Sequence, residues 1–239
     1  MLDTASLPNI EKRGYAICTS GRSGSNWLCM LLASTGHLGY PREYFNVKGR
    51  RLLDDPNYPS EPAQQFERIL TMGATPNGIY GVKLFPHHHD AFSQSLSWME
   101  LLPNLKLIWL QRLDVLGQAL SAARSIQTGQ FRSTLQPSGA ALYDPTLIRE
   151  RLTSVIKEQA RWSLFFSRTG LQPLKITYED IAANPQSVVD QVCELLEFKN
   201  PFKINFDLVD LQPQRDATTE EWRNRFVKEH GNTNVLDIL

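Results

Sequence analysis

Cysteine is scarce in this 239-residue chain: Cys18, Cys29 and Cys193 are widely spaced and odd in number. With no Cys-x-x-Cys pair, a disulfide-stapled scaffold is excluded and reduced thiols in a cytoplasm are expected. Long apolar runs are missing too. No stretch approaches the roughly 20 apolar residues of a membrane helix, and Met1 to Arg13 lacks the apolar core of a signal peptide. The expectation is a cytoplasmic protein without membrane insertion. A surplus of charge is the third absence. Twenty-five basic and 25 acidic residues cancel to zero, which argues against a nucleic-acid polymer as partner. Apolar residues are not lacking. At 41% hydrophobic and 21% charged, the chain can bury a core, so collagen-like, coiled-coil and disordered readings fall away. No internal repeat or low-complexity tract interrupts it, and a single domain over residues 1–239 is expected.

The zero net charge hides two basic islands. Between Arg13 and Arg51 lie Arg13, Arg22, Arg42, Lys48, Arg50 and Arg51, with Glu43 as the one acid. Between Pro103 and Leu135 lie Lys106, Arg112, Arg124 and Arg132, with Asp114 alone against them. Both islands follow short apolar runs that read as strands. Strands are predicted at Tyr15–Thr19, Ile79–Leu84, Lys106–Gln111 and Leu174–Tyr178. Helical spacing follows Trp27, Leu28, Leu31 and Leu32, and recurs over about Ala91–Leu102, Val115–Ile126, Pro145–Arg168 and Pro185–Leu196. Pro145 and Pro185 suit first-turn positions behind the caps Asp144 and Asn184. The alternation predicts an α/β fold, with a central, mostly parallel sheet flanked by helices on both faces. Pro41–Asn77 and Gln127–Asp144 lack this periodicity. They read as loops or small helical excursions over the ligand-binding end of the sheet.

The first strand runs into Thr19-Ser20-Gly21-Arg22-Ser23-Gly24-Ser25-Asn26 and then a helix. Such a turn aims backbone N–H groups and the positive helix end at one point, which suits a phosphate. Ser23, Ser25 and Asn26 can add side-chain hydrogen bonds and Arg22 a fixed charge. The loop is not a Walker A motif, since the Gly-Lys-[Ser/Thr] ending is absent and with it the usual magnesium position. Kinase-type ATP chemistry therefore loses support. His87, His88 and His89 invite a metal reading. Adjacent histidines on an extended chain point to alternate sides, however, and no carboxylate ladder accompanies them. A loop leading to a helix that starts at Asp90 is the expectation. Trp109 reads as core, and Trp162, Phe165 and Phe166 as helix packing positions.

An ordered set of motifs resembles the sulfotransferases that use 3′-phosphoadenosine-5′-phosphosulfate (PAPS). The likeness is to the bacterial carbohydrate group typified by trehalose 2-sulfotransferase and the lipopolysaccharide- and Nod-factor-type enzymes. Arg22-Ser-Gly-Ser25 resembles the group's 5′-phosphosulfate loop, and Pro41-Arg-Glu43-Tyr44-Phe45 its Pro-x-Glu-[Phe/Tyr]-Phe element. Gly81-Val-Lys83, Arg112-Leu-Asp114 with Gln118-Ala-Leu-Ser121, and Tyr178-Glu-Asp180 follow in order. Gln214-Arg215 and Glu221-Trp222-x-x-Arg225-Phe226 complete the series.

The resemblance implies a P-loop-like three-layer fold and PAPS as sulfuryl donor, with no metal required. It implies donor binding by Gly21, Arg22, Ser23, Gly24, Ser25 and Asn26 at one end, and by Arg112, Ser121 and Arg215 at the other. It further implies catalysis by Glu43 as general base and by Arg22 on the leaving phosphate. Lys83 either touches the transferring group or merely leaves a buried strand. Arg112 could equally be an ion-pair partner, and Ser121 a plain mid-helix hydroxyl. A histidine of the 87–89 run could share the base role or meet the acceptor, for which His87, Tyr44 and Phe45 are the candidates, with Phe131 and Trp98 as further aromatic walls. The acceptor implied is a carbohydrate or glycoconjugate hydroxyl. A phenol, lipid or natural-product hydroxyl and a non-catalytic nucleotide-binding module are the competing readings. Related enzymes can be homodimers, but no interface is legible in the sequence.

Overall fold

The structure, a computed structural model, describes residues 11–131, 136, 138–210 and 217–238. Four parallel strands form its sheet: β1 (Arg13–Cys18), β2 (Ile79–Leu84), β3 (Leu105–Gln111) and β4 (Leu174–Thr177), in the order β2-β1-β3-β4. Residues alternate across the sheet as strand geometry requires. Tyr15, Ile17, Ile79, Ile108, Leu110 and Ile176 face one side. There they meet Leu28, Leu31 and Leu32 of α1 (Ser25–Ser34) and Val188, Val189 and Val192 of α9 (Pro185–Leu195). Ala16, Cys18, Tyr80, Val82, Leu107 and Trp109 face the other side. They pack on Phe66 and Ile69 of α3 (Pro62–Met72) and on Trp162 and Phe166 of α7 (Pro145–Thr169). Both faces are thus covered, which explains why the strands read as nearly unbroken apolar runs. A smaller apolar cluster joins α6 (Val115–Thr128), α7 and α10 (Ala217–His230) through Leu120, Ala123, Ile148, Trp222 and Phe226.

The predicted elements stand with small changes of boundary, and three readings are corrected. The helix expected over Ala91–Leu102 is two short ones, α4 (Pro86–Ser93) and α5 (Trp98–Leu101). Pro86 at the first helical position starts α4 four residues before Asp90, so His87, His88 and His89 lie in a helix and not in a loop. Tyr178 does not end β4. It opens α8 (Tyr178–Ala183), because the Thr177 hydroxyl and Asp180 form a reciprocal cap there. Pro41–Asn77 does contain helical excursions, α2 (Val47–Leu53) and α3, and Asp144 and Asn184 cap α7 and α9 as expected.

Chain direction reverses at β1. The link after β1 enters α1 on one face of the sheet, whereas the link after β3 enters α6, which packs with α7 on the other. The carboxyl ends of β1 and β3 therefore open a crevice between diverging loops. The backbone turns into that crevice through two left-handed residues, Arg22 (φ 62°) and Gly24 (φ 85°). A Cβ on Gly24 would lie 2.5 Å from the Tyr178 ring, so glycine is required there by conformation and by space. Gly24→Ala is expected to lower the unfolding free energy by about 1–3 kcal/mol. Urea denaturation measures this, and an unchanged midpoint would show that the corner tolerates a side chain.

Candidate active site

Gly24 is the N-cap of α1 and contributes no capping side chain, in contrast to Asp114, Asp144 and Asn184 at α6, α7 and α9. The first-turn N–H groups of α1 thus remain available to an anion, beside the positive end of the helix dipole. Ser23 is fully buried and its hydroxyl meets Thr19 Oγ1 at 2.6 Å, so this side chain serves the loop's own shape. Asn26 Oδ1 accepts a hydrogen bond from Lys83 Nζ at 2.5 Å. Gly21, Ser23, Gly24, Ser25 and Asn26 thus form one continuous turn into α1.

Arg22 turns from this loop toward α6. Its Nε donates to Ser121 Oγ at 2.9 Å and its Nη1 to the carbonyl of Phe131 at 2.5 Å. Burial, and then the neighbouring guanidinium of Arg112, lower the Arg22 pKa. Two arginines held together in this way are electrostatically unfavourable unless an anion lies near both. Arg112 lies over the Tyr178 ring at 4.8 Å and bonds Asp114 at 3.3 Å, while its buried Nε has no hydrogen-bond partner. A buried donor left unpaired is costly, and an oxyanion would satisfy it. Arg112, Ser121, Arg124 and Arg223 line a cavity of about 200 Å³. Arg223 pairs with Asp114 at 2.7 Å, and Arg124 donates to Thr219 Oγ1 at 2.6 Å. Burial would raise the Asp114 pKa, but Arg223, the Gly117 N–H and Arg112 outweigh it and lower the value. Its carboxylate therefore orders the arginines without neutralising them all.

A second cavity of about 320 Å³ opens on the β2 side of the loop, lined by Asn26, Tyr40, Arg42, Glu43, Asn46, Arg50, Asp54 and Lys83 among others. Its centre is an ion pair between Lys83 Nζ and Glu43 Oε1 at 2.7 Å. The segment carrying Glu43 is tied to β2, where the Lys83 N–H donates to the Arg42 carbonyl at 2.9 Å. Glu43 Oε2 accepts from Asn46 Nδ2 at 2.9 Å. Burial alone would raise the Glu43 pKa. The Lys83 ammonium, the Asn46 amide and His88 prevail and hold it well below the usual carboxylate range. Burial also pushes the His88 pKa down, with His87 and Lys83 adding to it against Glu43. His88 accepts from the Phe85 N–H at 3.5 Å and acts as a helix cap.

Several expected positions are corrected. Tyr44 is fully buried, with its hydroxyl on the Tyr40 carbonyl at 2.9 Å, so it is core and not cavity wall. Phe45 packs against Phe66 and Phe92, with ring centroids 5.0 and 4.7 Å away. His87 is exposed and stacks on Phe85 at 5.6 Å, and neither it nor Phe45 lines the cavity around Glu43. Trp98 is buried in the core, and Phe131 contributes its carbonyl to Arg22. Arg215 lies outside the described residues. Arg223 lines the cation cavity, one position beyond the noted Trp222, whereas Arg225 pairs with Glu229 at 2.8 Å. Arg124 had been counted in a basic island without a role. Arg223 carried no sequence signal beyond its place in an amphipathic helix. Among the described residues, no group of three or more His, Cys, Asp or Glu is arranged to hold a metal ion.

The crevice therefore holds an anion-ready loop, a cation-lined cavity on one side and a carboxylate–ammonium pair on the other. Comparison with known proteins agrees in family. Residues 14–229 match the Stf0 sulphotransferase family model. The trehalose 2-sulfotransferase of Mycolicibacterium smegmatis is 27% identical over 252 residues, covering 89% of this chain and 93% of that protein. That of Mycobacterium tuberculosis is 24% identical over 254 residues, covering 90% and 94%. Among solved structures, a sulfotransferase from Alicyclobacillus acidocaldarius superposes with a TM-score of 0.52 at 14% identity, covering 93% of this chain and 94% of that one. The sulfotransferase domain of the Synechococcus PCC 7002 olefin synthase superposes at 0.50 with 16% identity and 98% coverage of both. The parallel sheet with its loop after β1 is thus the sulfotransferase fold, and the chain belongs to the Stf0 sulfotransferase family.

Proposed function

We propose that the protein transfers the sulfuryl group of PAPS to a hydroxyl of a carbohydrate or glycoconjugate. The observation that carries this reading is the pair of cation-rich sites joined by one loop, with a half-buried carboxylate on the far side. The loop Gly21–Asn26 takes the 5′-phosphosulfate. Arg112, Ser121, Arg124 and Arg223 take the 3′-phosphate, with Arg22 between the two. A planar guanidinium can hold two phosphate oxygens at once. Arg22 stabilises the charge that develops on the leaving phosphate. The acceptor lies in the cavity around Glu43. Its wall, rich in Arg, Asp, Asn and Glu and poor in aromatic rings, favours a polyhydroxylated acceptor over a phenol or lipid. The trehalose 2-sulfotransferase relatives support the same class.

In this reading the acceptor oxygen forms a bond to sulfur as the sulfur–oxygen bond to the 5′-phosphate breaks. Adenosine 3′,5′-bisphosphate leaves and the acceptor proton passes to Glu43. A carboxylate held ionised by Lys83 is a weak base, so it takes the proton late, once the acceptor oxygen has become acidic. Lys83 joins the two halves of the site, since it bonds both Glu43 and Asn26 at the start of α1.

Glu43→Gln is expected to lower kcat by roughly 10²–10⁴ while calorimetry finds adenosine 3′,5′-bisphosphate affinity within about twofold of wild type. Unimpaired turnover would remove Glu43 from the base role. Acid dependence follows from the ion pair. Lys83 lowers the Glu43 pKa, so the wild-type rate holds down to pH values below the ordinary glutamate range near 4.3. In Lys83→Met the opposing effect of burial is released, the pKa rises, and kcat/KM falls at a higher pH by about one unit or more. An unshifted acid limb would show that the pair does not set the base. Arg223→Ala is expected to weaken adenosine 3′,5′-bisphosphate binding at least tenfold, about 1.4 kcal/mol. Equal loss of affinity for adenosine 5′-monophosphate would place Arg223 elsewhere than at the 3′-phosphate. An acceptor screen with labelled PAPS decides the substrate class, and exclusive turnover of phenols would overturn the carbohydrate reading.

A further inference from the structure

The loop after β1 is held by side chains of α6 and α7. Trp162 Nε1, on α7, donates to the Thr19 carbonyl at 2.9 Å. Gln118 Nε2, on α6, donates to Ser20 Oγ at 2.8 Å and to the Gly21 carbonyl at 2.5 Å. Glu158 Oε2, again on α7, accepts from the Gly21 N–H at 3.3 Å. Gln159 Nε2 supports Gln118 at 3.5 Å. Gln118 is fully buried and Trp162 nearly so. The peptide groups on both sides of Gly21 are thus gripped by Gln118 and Glu158, 97 and 137 positions later in the chain.

This grip has a physical purpose. A Cβ on Gly21 would meet nothing within 4 Å, so the glycine is not there for lack of room, and its backbone is intrinsically free. The left-handed corner at Arg22 and Gly24 follows directly. Rotation at Gly21 would swing that corner and redirect every N–H of the turn. The bonds from Gln118 and Glu158 remove this freedom before any anion arrives, which is how a binding site avoids ordering cost at the moment of binding.

Building on the proposed donor site, we infer that Glu158 is a positioning residue for sulfuryl transfer: with Gln118 it fixes the Gly21 peptide, and thereby the direction in which the Arg22–Gly24 corner presents its donors. The choice of a carboxylate has a cost. The loop is to receive anionic oxygens, and an ionised Glu158 beside it repels them. The groups acting on Glu158 are the Gly21 N–H from the loop, His87 from α4, and Arg161 and Arg151 from α7. Burial outweighs all four and raises its pKa. The neutral acid still accepts the Gly21 hydrogen bond through its carbonyl oxygen, so the grip survives protonation while the repulsion does not. Donor binding is therefore weaker at the alkaline side of this titration than at the acid side.

Glu158→Ala and Glu158→Gln test this together. Steady-state kinetics give KM for PAPS, KM for the acceptor and kcat, and calorimetry gives the dissociation constant of adenosine 3′,5′-bisphosphate from pH 4.5, the ordinary carboxylate value, to pH 9. The alanine variant, which loses the bond, is expected to raise KM for PAPS about tenfold and leave KM for the acceptor within twofold. The glutamine variant keeps an acceptor oxygen without the charge and stays within about threefold of wild type. The wild-type-to-glutamine ratio of dissociation constants rises with pH, and taking the ratio cancels the titration of the nucleotide's own phosphates. An alanine variant with wild-type KM for PAPS, or a glutamine variant as impaired as alanine, overturns the proposal. If the alanine variant does not fold, a ratio that stays flat with pH overturns it. Wild-type protein that binds no adenosine 3′,5′-bisphosphate at any pH would instead overturn the donor assignment on which this inference rests.

Discussion

The corner between β1 and α1 is the constraint to which the rest of this site answers. The chain must leave a fully buried central strand and enter a helix whose first turn stays uncapped, in the space of Thr19 to Gly24. It does so with two left-handed residues, one of them an arginine, a conformation that costs about 1 kcal/mol or more for a residue with a side chain. Such a conformation persists only when its surroundings over-determine it. Here they do. Tyr178 fills the space beside Gly24, Ser23 is tied to Thr19, and Arg22 is held at its side chain by Ser121 and the Phe131 carbonyl. The crevice at the strand ends supplies the place, and the corner determines which way its donors point.

Tyr178-Glu179-Asp180 shows how one short motif can serve several neighbours at once. Tyr178 packs on the corner glycine and lies beneath the Arg112 guanidinium. Glu179 accepts the backbone N–H groups of Leu113 and Asp114 at 3.1 and 3.3 Å, fixing the chain that carries Arg112 into α6. Asp180 caps its own helix. None of the three need touch a substrate for the motif to matter. It couples the two cation sites mechanically, because displacement of Tyr178 would loosen the loop and Arg112 together.

Much of this was legible from the order of residues, for reasons that differ by element. Apolar runs marked β1, β2 and β3, since a sheet covered on both faces leaves little polar alternation to confuse the period, whereas β4, Leu174–Thr177, is short and only Ile176 of it is buried. Pro145 and Pro185 behind Asp144 and Asn184 marked two helix starts through local chemistry alone. Pro86 starts α4 behind Phe85, which has no capping side chain, so only half of that cue is present there. Tyr44 and Phe45 were misplaced because adjacency to Glu43 in sequence says nothing about direction. Tyr44 points into the core while Glu43 faces the cavity. Arg124, though part of a basic island, and Arg223 carry no site signal in sequence for the opposite reason. They come from α6 and α10, 99 positions apart by number, and only the packing of Leu120 and Ala123 against Trp222 and Phe226 brings them to one cavity. Glu158, Gln159 and Trp162 belong to the same class. Their helical spacing reads as packing, and their polar contacts arise only because α7 crosses the end of β1.

The Glu43–Lys83 pair explains why the carboxylate sits where it does. Burying Glu43 alone would favour its neutral form and leave no base at neutral pH. Lys83 has only 4% of its side chain exposed, and its ammonium lies 2.7 Å from that carboxylate. Together the charges satisfy one another, and hydrogen bonds from Asn46 and to Asn26 occupy the remaining directions. The pairing keeps Glu43 ionised and makes its carboxylate a poor proton acceptor. Lys83, bonded to Asn26 at the start of α1 as well as to Glu43, therefore ties the second cavity to the loop after β1.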